Sequence, residues 1–194
     1  AVANILFGEA NPSGKLPITF PASESDQPPP GIVAPPPGQR DSQKLKAPIF
    51  DVKYTAGLNV GYKWYDAEHK QVLFPFGYGL SYTTFSYSGI KVDPAGTSVG
   101  FTLKNTGTRD GEEVAEVYAG LPAGAGEPPK RLVGWAKVPL KAGESREVSV
   151  KIDPLYLKIF DEGSESWELV PGSYDFMVGG SSRSLPLTQK INLQ

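Results

Sequence analysis

The chain has 194 residues, 39% of them hydrophobic and 21% charged, with a formal charge of −2 at pH 7. That length suits one main domain, or one domain with an appendage, and it can bury a core without metals or disulfides. The near balance of charge leaves no cation excess for a phosphate backbone, and no apolar run approaches the roughly 20 residues of a membrane helix, so neither nucleic acid nor a membrane is an expected partner. There is no cysteine, hence no thiol nucleophile and no thiolate metal site, and cysteine usage says nothing about location.

The chain opens on AVANILFGEA, which reads as the end of a helix, followed by the turn cluster Asn11, Pro12, Ser13 and Gly14. Lys15 to Phe20 then alternate towards a strand that Pro17 would hold at an edge. A chain that begins inside an element is expected to be a piece of something longer. Residues 21–48 are dominated by proline and small polar residues and read as an extended linker, partly polyproline, lying on a surface.

From Ile49 onward the pattern changes to short runs rich in Val, Tyr, Phe and Thr, broken by turn residues about every eight to twelve positions, the signature of a β-sandwich. The expected strands are SVGFTLKNT (98–106), EEVAEVYAGL (112–121), KRLVGWAKVPL (130–140), SREVSVKID (145–153), WELV (167–170), GSYDFMVGG (172–180) and LPLTQKINL (185–193). Val99, Phe101 and Leu103 fall on one face of their strand, and Val148, Val150 and Ile152 on one face of theirs, so each has a core side. LKAGES reads as a short hairpin connection, Pro171 and Gly172 as a tight turn, and PLYLKIFDE as a further helical turn. The fold class is therefore mainly β, an immunoglobulin-like or fibronectin type III-like sandwich of about seven strands behind a helix-turn-strand and a proline-rich arm.

Chemistry-bearing residues are sparse. His69 is the only histidine, so a two-histidine metal site is excluded and a catalytic triad would have to use it. Asp66 and Glu68 beside it would make a carboxylate pair, but DAEHKQ reads as a hydrated turn. Glu112, Glu113 and Glu116 sit at the start of a strand, where alternation stops all three from converging, and they read as a solvated strand end. The glycines of GAGEP and VGGSS lie between strands and match no phosphate loop, and NPSGKLP lacks the phosphate-loop spacing around Ser13 and Lys15. Tyr62, Trp64 and Tyr65 in VGYKWYD are the candidates for contact with a sugar ring; in a strand, Tyr62 and Trp64 would share one face and Tyr65 take the other, so at least one side belongs to the core. No metal, cofactor or self-sufficient active site is expected.

Three stretches, in this order, resemble the carboxy-terminal part of glycoside hydrolase family 3, the family of many β-glucosidases and β-xylosidases: ILFGEANPSGKLPITFP, GLNVGYKWYD and FPFGYGLSYTTF. LKNTGTRDGEEVAEVYAG and KRLVGWAKVPLKAGES resemble the body of its fibronectin type III-like domain, so the likeness covers essentially the whole chain. The resemblance implies that residues 1–20 are the terminal piece of an α/β sandwich domain, 21–70 an extended linker and approach segment, and 71–194 the fibronectin type III-like domain. It also implies a retaining glycosidase whose aspartate nucleophile and glutamate acid/base lie upstream, so that this chain alone is inactive. Glu9, in a stretch the family uses structurally, takes no catalytic role. The implied partners are the upstream catalytic domains, on the same or a separate chain, and the oligosaccharide substrate of the whole enzyme.

The resemblance is compatible with a periplasmic or secreted enzyme and with a homo-oligomer, and neither is legible in these residues. The aromatics of FPFGYGLSYTTF are expected to pack between domains, with the glycines allowing close backbone approach. The competing reading is an independent carbohydrate-binding or adhesion module. A contribution to the rim of an active site by the loops Gln27–Asp41 or AGAGEPPK is compatible with the first reading.

Overall fold

The computed structural model describes residues 2–27 and 56–194; the expected extended path of the proline tracts, and all of the Gln27–Asp41 loop beyond Gln27, lie outside them. In chain order the elements are α1 (Val2–Leu6), β1 (Phe20–Pro21), α2 (Tyr62–Ala67), β2 (Val72–Phe74), β3 (Phe85–Val92), β4 (Ser98–Asn105), β5 (Gly111–Gly120), β6 (Arg131–Leu140), β7 (Ser145–Lys151), β8 (Ile159–Asp161), β9 (Ser166–Glu168), β10 (Gly172–Gly179) and β11 (Leu187–Leu193).

Alternation drives the sandwich. In β4 every second side chain, Val99, Phe101, Leu103 and Asn105, is fully buried, and β10 does the same with Tyr174, Phe176 and Val178. These rows meet Val148, Val150 and Ile152 from the other side to form one core. Two antiparallel sheets result, β3-β4-β7 and β11-β10-β5-β6, three strands packed on four. Tyr174 closes one end of the core: its ring is fully buried, and its hydroxyl reaches the carbonyls of Val170 (2.9 Å) and Leu157 (3.1 Å), the arrangement of a tyrosine corner.

Among the described residues seven strands build the sandwich, but not the seven expected. Phe85–Val92 supplies one of them, whereas WELV contributes to β9, which pairs only with β8 in a separate two-stranded hairpin. LKAGES joins β6 of the four-stranded sheet to β7 of the other, so it is a crossing between sheets rather than a hairpin. The helical turn expected in PLYLKIFDE is a 3-10 turn, Pro154–Leu157, capped by the Asp153 carboxylate, which accepts from the Leu155 amide at 2.9 Å. The amino-terminal strand shrinks to Phe20–Pro21, paired with β2.

Part of the outer face of the four-stranded sheet, around Glu116 and Tyr118 of β5, is covered as well. Tyr118 points away from the sandwich core and is nevertheless fully buried, because Tyr62 of α2 lies against its ring, while Gly77 lies over the neighbouring Glu116. β5 is therefore buried on both sides, and its sequence, GEEVAEVYAG, carries apolar residues on both.

Candidate functional site

The amino-terminal segment is tied to the sandwich by polar side chains. Asn11 bridges two loops: its amide donates to the Asp110 carbonyl (2.9 Å), and its oxygen accepts from the Tyr82 amide (2.8 Å) and the Ser81 hydroxyl (3.0 Å). Lys15 reaches deeper, donating to the Glu113 carboxylate (3.1 Å) and the Gly180 carbonyl (3.0 Å), while the Tyr87 hydroxyl donates to the same Glu113 oxygen at 2.7 Å. Burial and the Glu113 carboxylate together push the Tyr87 phenol well above its ordinary value. Leu16 exchanges backbone bonds with Gly77 and Tyr78, extending the contact along the chain. Arg109 donates to the Gly8 carbonyl and lies over the Tyr82 ring (5.3 Å), and the Tyr82 hydroxyl donates to the Ile5 carbonyl at 2.7 Å.

What this segment presents outward is apolar. Val2 (71% exposed), Leu6 (73%), Phe7 (85%) and Leu80 (69%) stand out from it, with Ile18, Phe20 and Leu73 beside them. A groove of about 550 Å³ runs through this surface, lined by Ile5, Leu16, Phe20, Phe74, Tyr78 and Leu80. No residue of α1 is buried, and a helix of five residues gains too little from its own hydrogen bonds to stand unsupported in water. An apolar surface of this kind on a well-packed sandwich marks an interaction face.

The second tie is α2. The VGYKWYD stretch, whose aromatics would divide between two faces in a strand, forms a helical turn instead, so Tyr62, Tyr65 and Asp66 all turn inward, three and four residues apart. Tyr62 packs on Tyr118 (5.7 Å) and Phe76 (5.1 Å), and its hydroxyl accepts from the Leu132 amide at 2.8 Å. The pairing of β5 with β6 skips Val133, and Tyr62 meets the amide next to this bulge. Burial raises the Tyr62 phenol to about 12. Replacing Tyr62 by Phe removes this acceptor and is expected to cost about 1 kcal/mol in urea unfolding; an unchanged midpoint would show that the bond contributes nothing. Trp64 is half-buried, edge-on to the buried Tyr65 at 5.0 Å.

Asp66 is buried and ion-paired with Lys130 and with Arg183 (2.9 Å), and Arg183 also donates to the carbonyls of Tyr65 (3.0 Å) and Lys70 (3.2 Å). Glu68 and His69 are exposed at the end of the helix, with His69 in the left-handed conformation (φ 52°) that terminates it. Asp66 and Glu68 therefore do not converge. Among the described residues no cluster of three or more acidic or histidine side chains could hold a metal, and no helix is long and apolar enough to cross a membrane.

Two of the three glutamates of β5 depart from their expected solvated role. Glu112 stays near the surface, its pKa lowered by its bonds to Lys137 (2.8 Å) and Ser13. Glu113 (8% exposed) and Glu116 (4%) are buried on opposite faces of the strand, Glu113 beneath Lys15 and Glu116 beneath Gly77. The reason is non-local: each face of β5 is covered by chain far away in sequence. Burial lifts the Glu116 carboxyl to about 7, partly offset by the bond from the Tyr118 hydroxyl (2.6 Å) and by the charge of Lys15. The only hint of this in the sequence was Gly77, whose φ of +80° and bare Cα admit the carboxylate: a Cβ there would lie 2.4 Å from its oxygens.

Comparison with known proteins gives a consistent result. Residues 1–82 match the glycosyl hydrolase family 3 C-terminal domain, and residues 113–182 the fibronectin type III-like domain. The chain is 39% identical over its whole length to Beta-glucosidase B of Emericella nidulans, covering 23% of that protein, and 36% identical to Thermostable beta-glucosidase B of Acetivibrio thermocellus, covering 25%. Among solved structures it superposes on DesR, a beta-glucosidase from Streptomyces venezuelae in complex with D-glucose, with a TM-score of 0.83 at 36% identity, covering all of this chain and 24% of that one. Beta-glucosidase 3B from Thermotoga neapolitana, in complex with glycerol, gives a TM-score of 0.83 at 37% identity, with 100% and 26% covered. The chain thus spans about a quarter of the length of the relatives it matches.

Proposed function

Because this chain belongs to glycosyl hydrolase family 3, as its carboxy-terminal part, we propose that it is the non-catalytic portion of a retaining β-glucosidase that hydrolyses terminal β-linked glucose from oligosaccharides. Its role is to hold and orient the catalytic domains. In this reading residues 1–20 are the last piece of an α/β sandwich domain, 21–70 the approach segment and 71–194 the fibronectin type III-like domain. The observation that carries the proposal is the apolar surface around α1 and the groove beside it, presented on a segment that Asn11, Lys15 and Leu16 fasten to the sandwich. Chain that continued from this segment would be held at a fixed angle to the sandwich.

The nucleophile and the acid/base then lie upstream, and none of Asp66, Glu68, His69, Tyr62, Trp64 or Tyr65 is given a part in the chemistry. The test is hydrolysis of a chromogenic β-glucoside by the full-length protein carrying Glu68→Gln or His69→Ala. Both variants are expected to keep kcat/KM within about threefold of wild type, whereas loss of a catalytic carboxylate or base costs on the order of 10³-fold or more. A loss of that size in either variant would place the chemistry in this chain.

A further inference from the structure

Glu116 has no place in the reading above, yet it is buried at the junction. Its carboxylate lies directly under the backbone of Gly77, in the segment whose strand-like bonds to Leu16 (Gly77 amide to Leu16 carbonyl, 2.9 Å; Leu16 amide to Tyr78 carbonyl, 2.8 Å) fasten the amino-terminal segment. The Ser182 amide donates to the Phe76 carbonyl at 2.9 Å, so the same segment is also held to the β10–β11 connection.

The groups around the carboxyl are mostly neutral or acidic: Tyr118 and Glu113 on its own strand, Tyr62 on α2 and Tyr87 on β3. On the neighbouring strands its partners in register are Gly179 and Trp135, which bring no charge. Of the cations near it, Lys15 is engaged with Glu113 and the Gly180 carbonyl, and Lys130 lies over the Tyr118 ring (6.0 Å) while paired with Asp66. A carboxylic acid fits this setting, and a carboxylate fits it poorly unless water enters. Gly77 covers the carboxylate without a side chain of its own, so lifting of that segment would hydrate it.

The geometry points to Glu116 as a proton-controlled latch: protonated, it lets the Phe74–Thr83 segment close over β5, and ionised, it favours lifting of that segment. The inference does not depend on the enzymatic reading. The sign follows from linkage. The closed form keeps its proton up to about pH 7, and the open form, with Glu116 hydrated, gives it up near the ordinary carboxylate value of about 4.3. Opening therefore becomes easier as pH rises between these two values and levels off above the higher one.

The test is hydrogen–deuterium exchange of the full-length protein from pH 5 to pH 8, corrected for the intrinsic pH dependence of exchange. Peptides covering residues 11–17 and 74–83 are expected to lose at least tenfold protection between pH 5 and pH 7 and to change less than threefold from pH 7 to pH 8. Peptides from β4 serve as the internal control and stay constant. In Glu116→Gln the side chain is neutral at every pH, so both segments should keep their pH 5 protection throughout. Tyr118→Phe removes a donor that favours the carboxylate and should move the transition to higher pH, a second reading that stands even if the glutamine variant folds poorly. A flat wild-type profile, or the same loss in Glu116→Gln, overturns the latch.

Discussion

Asp66→Ala is expected to lower the stability of the fold by about 3–5 kcal/mol, among the largest effects of any single change outside the core. Asp66 is buried and holds two cations, Lys130 and Arg183, through different oxygens. Lys130 has only 12% of its side chain exposed, so removing its partner leaves an ammonium in a poorly solvated place, and that uncompensated charge supplies most of the cost. Arg183, 37% exposed, can turn to solvent, but it then gives up the Tyr65 and Lys70 carbonyls and loosens the end of α2. Denaturant unfolding measures the loss. The double variant Asp66→Leu with Lys130→Met, which removes both charges of the buried pair, should recover a large part of it. A full loss that persists in the double variant would show that packing, not charge, makes this site.

Phe101→Ala should cost a similar amount, about 3–5 kcal/mol, for the opposite reason. Phe101 is fully buried in the centre of β4, against Tyr87 (6.1 Å between ring centroids) and the rest of the sandwich core. Strands from both sheets surround it, and β4 is itself the middle strand of its sheet, so little chain is free to collapse into the cavity. Thermal unfolding measures this directly. A loss below about 1 kcal/mol would mean that the two sheets close on each other more readily than their packing implies.

The sandwich was legible where one face of a strand is core and the other solvent. SVGFTLKN and SREVSVKI alternate cleanly, and both form strands with the expected residues inside. Phe85–Val92 was missed because its pattern is spoiled: Gly89 sits at a positive φ of 67°, and the pairing with β4 shifts register between Ser88 and Lys91, so Phe85, Tyr87, Ile90 and Val92 do not keep one period. WELV has the composition of a core strand but lies outside both sheets, with Trp167 49% exposed against Phe160. Composition alone could not tell the two apart.

The junction was harder to read, since its determinants are distant in sequence. Lys15 meets Glu113 across 98 residues and Asp66 meets Lys130 across 64. Strand alternation correctly kept Glu113 and Glu116 on opposite faces of β5, but nothing local says that both faces are covered. VGYKWYD shows the same limit at short range. Its aromatics favour a strand, yet the helical turn wins because it brings Tyr62, Tyr65 and Asp66 to one side, where a ring stack, a buried edge and two cations await them. The family likeness, by contrast, was visible in three short motifs, because turn residues and close glycine contacts such as Gly77 over Glu116 must be written into the sequence where they occur.

The most direct test of the central claim, that this chain orients a catalytic centre it does not contain, is complementation. Hydrolysis of a chromogenic β-glucoside is measured for this chain alone, for the separately produced upstream portion of the same protein, and for the two mixed. The account predicts no turnover by the chain alone and a gain in turnover on mixing, as the apolar surface around Leu6, Phe7 and Leu80 finds its partner. Turnover by the pure isolated chain would contradict it.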